Sequence, residues 1–312
     1  MAKISVVIPT YNRSDAFQRT IAVMENSNRK PDEIIVVDQT KDEVLATKIK
    51  DTCANSGLKI YYFHESEPSL TKARNVGLTK VTGDIVVFMD DDVDVKDNTF
   101  GLVEEIFSDT KVALLGGFNK TTDSNQTFKG TLFGKSSFFK WHKGHVTKAV
   151  YGMFPKHCET QVETEWAMGF FFAIRKRYVD EWNLTFDENL KYYAYNEDMD
   201  FTYRFYLLSK NAGMKCLYDS RIVVDHRVSS EFRIPTRKAT FMVCVHRRYL
   251  SNKLFGSLNS KLWTIWCDMG DMIFAFIRGR YEHACDIWKA IMFCCKYRND
   301  IKVGNLHYDL FM

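Results

Sequence analysis

Short apolar runs alternate with helix-forming stretches through the first 90 residues, and this alternation is the strongest constraint on the fold. It predicts strands at 4–8, 33–37, 58–63 and 85–89, with helices at about 14–26 and 42–55. Such alternation indicates an α/β fold, with a mostly parallel central sheet flanked by helices. Ligands of such sheets bind beyond the carboxyl ends of the strands. We therefore expect the residues that follow these strands to share one edge.

Three consecutive aspartates, Asp90, Asp91 and Asp92, follow the apolar run at 85–89. That run lacks alternation, as a strand buried on both faces does. Carboxylates packed in a cleft repel one another and lose hydration, and a divalent cation relieves both costs. Mg²⁺ or Mn²⁺ is the predicted ion, because both favour carboxylate oxygens. Considered alone, the triplet fits a solvated acidic loop equally well.

A second acidic cluster, Glu197-Asp198-Met199-Asp200, precedes an amphipathic helical pattern. Acidic residues are ordinary at a helix start, because the helix dipole favours them there. The functional alternative is a general base, kept ionised by the positive end of the helix.

Composition narrows the class of protein. The chain has 312 residues and a net charge of +4, which is too mild to support nucleic acid as a partner. Its eight cysteines show no CxxC pair and no zinc-site spacing, so free thiols in a reducing cytoplasm are expected. The chain enters a strand almost at once, and we expect no signal peptide.

The sequence changes character near Pro235. Residues 237–297 are predicted to be helical, basic and aromatic, and no apolar run there reaches the roughly 18 residues that span a bilayer. Apolar residues flanked by Lys and Arg suit helices on an anionic membrane surface. Packing on the rest of the protein, or oligomerisation through these helices, are the alternatives.

Taken together, these segments resemble the family-two glycosyltransferases of GT-A fold, of the inverting, bacterial polysaccharide type. The matching segments, in the family's order, are 6–13, 36–38, 73–78, 88–92, 166–169, 174–175, 186–188, 197–201 and 212–213, followed by Asp219 and His226. The resemblance implies a glycosyltransferase domain at 1–234, with nucleotide-sugar binding at about 1–117 and the acceptor side at about 118–234. Residues 235–312 lie outside the matched segments, and their composition predicts an amphipathic helical extension with peripheral membrane contact, against the alternatives given above.

The resemblance also implies a donor site. Its residues would be Pro9, Tyr11, Arg13, Asp38, Arg74, Asp90 and Asp91. Tyr11 would lie against the base, Asp38 would hydrogen-bond it, and Arg74 would approach the pyrophosphate. A UDP-sugar is the expected donor, with dTDP- and GDP-sugars behind it.

Metal and catalytic residues follow from the same resemblance. Asp90 and Asp92 would ligate Mg²⁺ or Mn²⁺, which would neutralise the leaving diphosphate. His226 is either a further metal or phosphate contact or a structural histidine. The spacing Asp92-Val93-Asp94 offers a second register for the metal motif.

On the acceptor side, the resemblance implies Trp166, Gly169 and Glu197, with Asp198 as the general base of a single displacement with inversion. The acceptor would be a hydroxyl of a saccharide or lipid-linked saccharide, in surface polysaccharide assembly at the inner membrane face. Residues 120–165 match little, and are predicted to be either a mobile loop over the acceptor side or a surface insertion.

Two alternatives remain from other classes. A catalytically inactive nucleotide-sugar-binding module should have lost the acids at 90, 92, 197 and 198, which are present. A sugar nucleotidyltransferase should carry a glycine-rich phosphate loop near its start, whereas residues 9–13 contain no glycine.

Overall fold

The computed structural model describes residues 2–120, 132–133, 135, 142–155, 158–227 and 235–312. Its strands are β1 (Ile4–Thr10), β2 (Glu33–Asp38), β3 (Ile60–His64), β4 (Ile85–Met89), β5 (Val93–Asp94), β6 (Val112–Asn119), β7 (His145–Val146), β8 (Gly152–Met153), β9 (Gln161–Glu163), β10 (Phe171–Arg175) and β11 (Lys215–His226).

The helices of the described residues alternate with the early strands and then dominate the C-terminal part. They are α1 (Ser14–Glu25), α2 (Glu43–Asn55), α3 (Leu70–Lys80), α4 (Thr99–Ile106), α5 (Lys176–Glu181), α6 (Glu197–Asn211), α7 (Thr236–Leu250), α8 (Leu258–Ile277), α9 (Tyr281–Lys296) and α10 (Arg298–Lys302). A π-helical turn spans Ser251–Phe255, and a 3₁₀ turn spans Tyr308–Leu310.

One large sheet has the strand order β3-β2-β1-β4-β10-β6-β11-β5, and β9 also pairs with β11. Strands β1 to β4 pair in parallel, which confirms the strand and helix alternation predicted for this half. The other half is mixed, because β10 runs antiparallel to both β4 and β6. Antiparallel neighbours need no crossover helix, so alternation carries no signal for such a strand.

Both faces of the sheet are covered, as the unbroken apolar runs predict. Along β1, Val6 and Ile8 face one hydrophobic cluster, while Val7 faces a second cluster on the other side. This burial fixes the register of the strands, since a slip by one residue would exchange the two faces. Thr10, Asp38 and Asp90 are consequently held at the same edge.

The C-terminal helices pack against the strand-bearing part of the chain. Val245 and Leu250 of α7, and Ala290 of α9, belong to the same hydrophobic cluster as Val6 of β1. In the described ranges, no helix is both long enough and apolar enough to cross a bilayer. The predicted boundary at 234/235 adjoins residues 228–234, which lie outside the described part of the chain.

Candidate active site

A cavity of about 330 Å³ opens where β1 and β4 end. Five of the seven predicted donor residues line it, namely Pro9, Tyr11, Arg13, Asp90 and Asp91. The sheet edge predicted from the sequence therefore forms a cleft, which is lined by the Tyr11 ring and by the charged side chains of Arg13, Asp90 and Asp91.

Asp38 lies beneath this cleft rather than in its wall. It is fully buried at the end of β2, where Oδ1 accepts from the Thr40 backbone N–H at 2.8 Å and Oδ2 accepts from the Tyr62 hydroxyl at 2.8 Å. Gln39 and Lys41 line the cavity beside it. Direct contact between Asp38 and a base stays a prediction, and would require one of these hydrogen bonds to be exchanged.

Asp90, which lines the cavity, converges with Asp92 and His226. One ligand atom from each of the three lies within 4.8 Å of the others. His226 Nε2 lies 3.1 Å from Asp92 Oδ1, and the imidazole stacks on Phe170 with ring centroids 5.4 Å apart. Two carboxylate oxygens and an imidazole nitrogen form a donor set that suits a divalent cation.

The competing register, which uses Asp94, has a different environment. The Asp94 carboxylate lies on β5 and forms ion pairs with Arg19 and Arg227. Asp90 and Asp92 also face guanidinium groups, Arg74 and Arg13 respectively, but in the described part of the chain only these two aspartates converge with His226 into a possible ligand set.

Asp91 anchors the loop between β1 and α1. Its Oδ2 accepts from the Thr10 hydroxyl at 2.7 Å, and its Oδ1 lies 3.2 Å from Arg13 Nη1, which also lies 3.3 Å from Asp92. Burial raises the pKa of the Asp91 carboxyl to about 7, while the Arg13 charge opposes this. Asp91 therefore shapes the wall and holds Arg13 against the acidic cluster.

Arg74 joins the metal-type cluster to the acidic start of α6. This fully buried guanidinium donates to Asp90 Oδ1 at 3.0 Å, to the Gly169 carbonyl at 3.0 Å, and to the Glu197 carboxylate. Burial raises the pKa of Glu197, and the Arg74 charge opposes that change. The arginine thus neutralises acids from two distant parts of the sequence.

Asp198 lies in the first turn of α6, where backbone N–H groups hold it. Oδ2 accepts from Gly169 N–H at 2.7 Å, and Oδ1 accepts from Met199 N–H at 2.7 Å. Burial raises the pKa of this carboxyl above its ordinary value, although Arg74 and these hydrogen bonds oppose the change, so the low pKa expected from its position at the helix start is wrong. A carboxylate oriented in this way can accept a proton from a hydroxyl.

Gly169 and Trp166, two residues predicted on the acceptor side, are both tightly packed. A Cβ added to Gly169 would lie 3.0 Å from both terminal nitrogens of Arg74 and 3.1 Å from Asp198 Cβ. Trp166 is buried, and its indole N–H donates to the Met153 carbonyl at 3.0 Å. Trp166 therefore has a structural role on the predicted acceptor side, because it is buried and hydrogen-bonded to the backbone. Most of the predicted cover at 120–165, including 121–131 and 136–141, lies outside the described residues.

Two tyrosines of the cleft wall were not predicted from the sequence. Tyr192 and Tyr193 line the cavity and are about half exposed, and Tyr192 adopts a left-handed backbone conformation with φ 60°. The aromatic run at 192–195, directly before the acidic cluster, was the available signal.

The fold and the edge cluster of carboxylates define a glycosyltransferase of GT-A type. Residues 5–183 match the family described as "Glycosyl transferase family 2", which is more than half of the chain. The chain belongs to this family.

Named relatives agree with this assignment. The chain is 38% identical over 90 residues to the amylovoran biosynthesis glycosyltransferase AmsB of Erwinia amylovora, covering 28% of this chain and 30% of that protein. It spans only about 20–30% of the length of the first curated relatives that it matches.

Solved structures share the fold. The mannosyltransferase PcManGT from Pyrobaculum calidifontis, in complex with GDP-Man and Mn²⁺, gives a TM-score of 0.58 at 13% identity, over 99% of this chain and 86% of that one. Residues 1–349 of Staphylococcus aureus TarS, in complex with UDP-GlcNAc, give 0.51 at 16% identity, over 98% and 89%.

Proposed function

We propose that this protein is an inverting, metal-assisted glycosyltransferase, which moves a sugar from a nucleotide-diphosphate sugar to an acceptor hydroxyl. One observation carries the proposal. Arg74 connects the cluster of Asp90, Asp92 and His226, beside the cleft, to the acidic start of α6, which holds Asp198. A leaving-group site and a base are thereby held on the two sides of one reaction centre.

The nucleotide would lie in the cleft, with its base against Tyr11 and its phosphates toward Arg13 and Arg74. A UDP-sugar is the favoured donor. TarS, which has the same fold, is seen with UDP-GlcNAc, and PcManGT with GDP-Man, so a guanine donor is the first alternative. Gln39 and Lys41, in the wall beside Tyr11, are placed to distinguish the bases.

Asp90, Asp92 and His226 would hold Mg²⁺ or Mn²⁺. When bound, the ion stabilises the negative charge that develops on the departing diphosphate. Asp91 and Thr10 would keep Arg13 beside the diphosphate, because their hydrogen bonds fix the loop that carries Arg13.

Asp198 would remove the proton from the acceptor hydroxyl as that oxygen attacks the anomeric carbon. The bond to the diphosphate breaks on the opposite face, so the configuration inverts. Gly169 and Met199 N–H groups orient the carboxylate before substrate arrives. Glu197, paired with Arg74, would position the acceptor side without itself accepting the proton.

The acceptor would be a saccharide or a lipid-linked saccharide in bacterial surface polysaccharide biosynthesis. The similarity to AmsB, a protein of amylovoran biosynthesis, supports this setting. We place the enzyme in the cytoplasm, at the inner face of the membrane, with residues 1–234 as the transferase domain and 235–312 as the membrane-contacting helices. Those helices are also the candidate surface for oligomerisation.

Asp198→Asn tests the proposal against an inactive binding module. Purified protein would be supplied with a panel of UDP-sugars and a bacterial envelope extract as acceptor, and UDP release measured. We expect the variant to lose about 10²–10⁴-fold in rate, the range for one general base. Donor affinity should be unchanged. Full activity in the variant would refute Asp198 as the base, and inactivity of the wild-type protein would favour the binding module.

A further inference from the structure

The turn between α8 and α9 presents an apolar tip to solvent. Its large side chains are exposed by 42–71%, namely Ile273, Phe276, Ile277 and Tyr281. Gly279, with φ +71°, allows the tight reversal of the chain at this point. Four large apolar side chains around one turn exceed the scattered exposure expected of an ordinary surface.

Two arginines flank the turn. Arg278 and Arg280 are both exposed, and within the described part of the chain neither forms an ion pair. An apolar tip with uncompensated guanidinium groups complements a surface that is apolar inside and anionic outside. An anionic lipid bilayer has this arrangement.

A cavity of about 350 Å³ lies directly beneath the tip, between α7, α8 and α9. Arg247, Arg278, Arg280 and His283 contribute to its lining, together with Thr240. The Thr240 hydroxyl donates to the Thr236 carbonyl at 2.9 Å and lies 3.4 Å from His283 Nδ1, so the His283 ring is the further hydrogen-bonding group on the wall.

The two acids of this cavity already have cationic partners. Asp268 pairs with buried Arg247, and Asp271 pairs with Lys135. Among the described residues, Arg247 Nε has no hydrogen-bond partner although its side chain is almost fully buried. The charges of Arg278 and Arg280 at the mouth of the cavity are therefore available to an anion. Inside the cavity, the Arg247 Nε–H group is available as a hydrogen-bond donor.

We propose that this cavity binds the phosphate of an anionic lipid headgroup while the apolar tip enters the bilayer surface. The inference deepens the membrane contact proposed above and rests on it. Arg278 and Arg280 would contact the phosphate, His283 would hydrogen-bond it, and Phe276 and Ile277 would lie at the level of the acyl chains. The site would hold the enzyme beside lipid-linked acceptors.

Vesicle co-sedimentation tests this site. The full chain would be mixed with phosphatidylcholine vesicles, with or without phosphatidylglycerol. Arg278→Gln with Arg280→Gln should weaken binding to anionic vesicles by roughly thirtyfold, the effect of two basic residues near such a surface. The matched control, Arg298→Gln with Lys302→Gln, removes the same charge from exposed positions in the same extension and should weaken it by less than about threefold.

The outcomes separate the inference from its foundation. Equal losses in the two double variants would refute the headgroup site but leave the membrane contact intact, whereas no binding by the wild-type protein would refute both. Two further outcomes would refute the lipid site in favour of another ligand. If inorganic phosphate stabilises the protein against heat but the protein does not bind anionic vesicles, the cavity binds free phosphate.

If the protein is a dimer in sedimentation velocity, Ile277→Ser dissociates it, and the protein does not bind vesicles, the tip contacts a second copy of the chain. A metal-dependent nucleotide shift in every variant would show that each one is folded.

Discussion

Arg74 and Glu197 form a buried ion pair although 123 positions separate them in the sequence. The pair connects α3, which precedes the aspartate triplet, to α6, which carries Asp198. Because Arg74 also donates to Asp90, one guanidinium links the aspartate cluster after β4 to the start of the helix that carries Asp198, the two sides of the proposed reaction centre.

Arg74→Gln should therefore damage stability as well as transfer. Removing one partner of a buried pair leaves uncompensated carboxylates, and we expect a loss of about 3–5 kcal/mol in the free energy of unfolding. Urea denaturation measures this loss. Lys48→Gln, an exposed charge on α2, is the control and should change the free energy by less than about 0.5 kcal/mol. Similar values for the two variants would contradict a central role for Arg74.

Gly169→Ala tests how closely Arg74 and Asp198 approach the backbone at Gly169. The added methyl would press on both terminal nitrogens of Arg74 and on Asp198, so Arg74 or the backbone must move. We expect a loss of about 1–3 kcal/mol in stability and a lower rate of transfer, measured by urea denaturation and nucleotide release. Gly57→Ala is matched, because its Cβ would meet only one atom, at 4.0 Å. Wild-type transfer in Gly169→Ala would argue against this close approach.

His246 should make the protein acid-sensitive. Its Nδ1 lies 2.9 Å from the Tyr195 carbonyl, and its Nε2 lies 2.6 Å from the Tyr308 hydroxyl. A carbonyl only accepts, so Nδ1 carries a proton, while Nε2 faces the Tyr308 hydroxyl, which also lies 2.9 Å from the Asn189 carbonyl. Burial lowers the pKa of this imidazole to about 4, below its ordinary value of 6.5. The C-terminal part of the chain thus supports the loop before Asp198 through a neutral histidine.

The sign of the pH effect follows from that lowered pKa. On acidification the unfolded chain binds a proton at His246 before the folded protein does, so stability is lost as pH falls from about 6.5 to about 4. The difference corresponds to on the order of 3 kcal/mol. Urea denaturation across this range should show a steeper loss in the wild-type protein than in His246→Gln. Parallel pH profiles would show that folding does not lower the pKa of His246.

Much of the fold could be predicted because its signals are local. The run at 85–89 matches β4 residue for residue, and the helices predicted at about 14–26 and 42–55 correspond to α1 and α2 within one residue at each end. Parallel pairing then places Thr10, Asp38 and Asp90 at one edge without any further information.

The rest depends on contacts between distant segments, which periodicity does not encode. The antiparallel placement of β10, and the sealing of Asp38 by Thr40 and Tyr62, are set by tertiary packing. The entry of Tyr192 and Tyr193 into the cleft depends on how their loop is held between α3 and the 3₁₀ turn. Leu70 N–H donates to the Tyr192 carbonyl on one side.

The most direct test is a thermal-shift panel with UDP, dTDP, GDP and CDP, each with and without Mn²⁺, on the wild-type protein, Asp92→Asn and Asp94→Asn. A nucleotide at about 100 times its dissociation constant stabilises by roughly 2.7 kcal/mol, which moves the midpoint by several degrees. We predict that UDP alone among the four nucleotides gives this shift, and only with Mn²⁺. The shift should occur in the wild-type protein and in Asp94→Asn, but not in Asp92→Asn. A shift that survives in Asp92→Asn, or no shift with any nucleotide, would contradict the account.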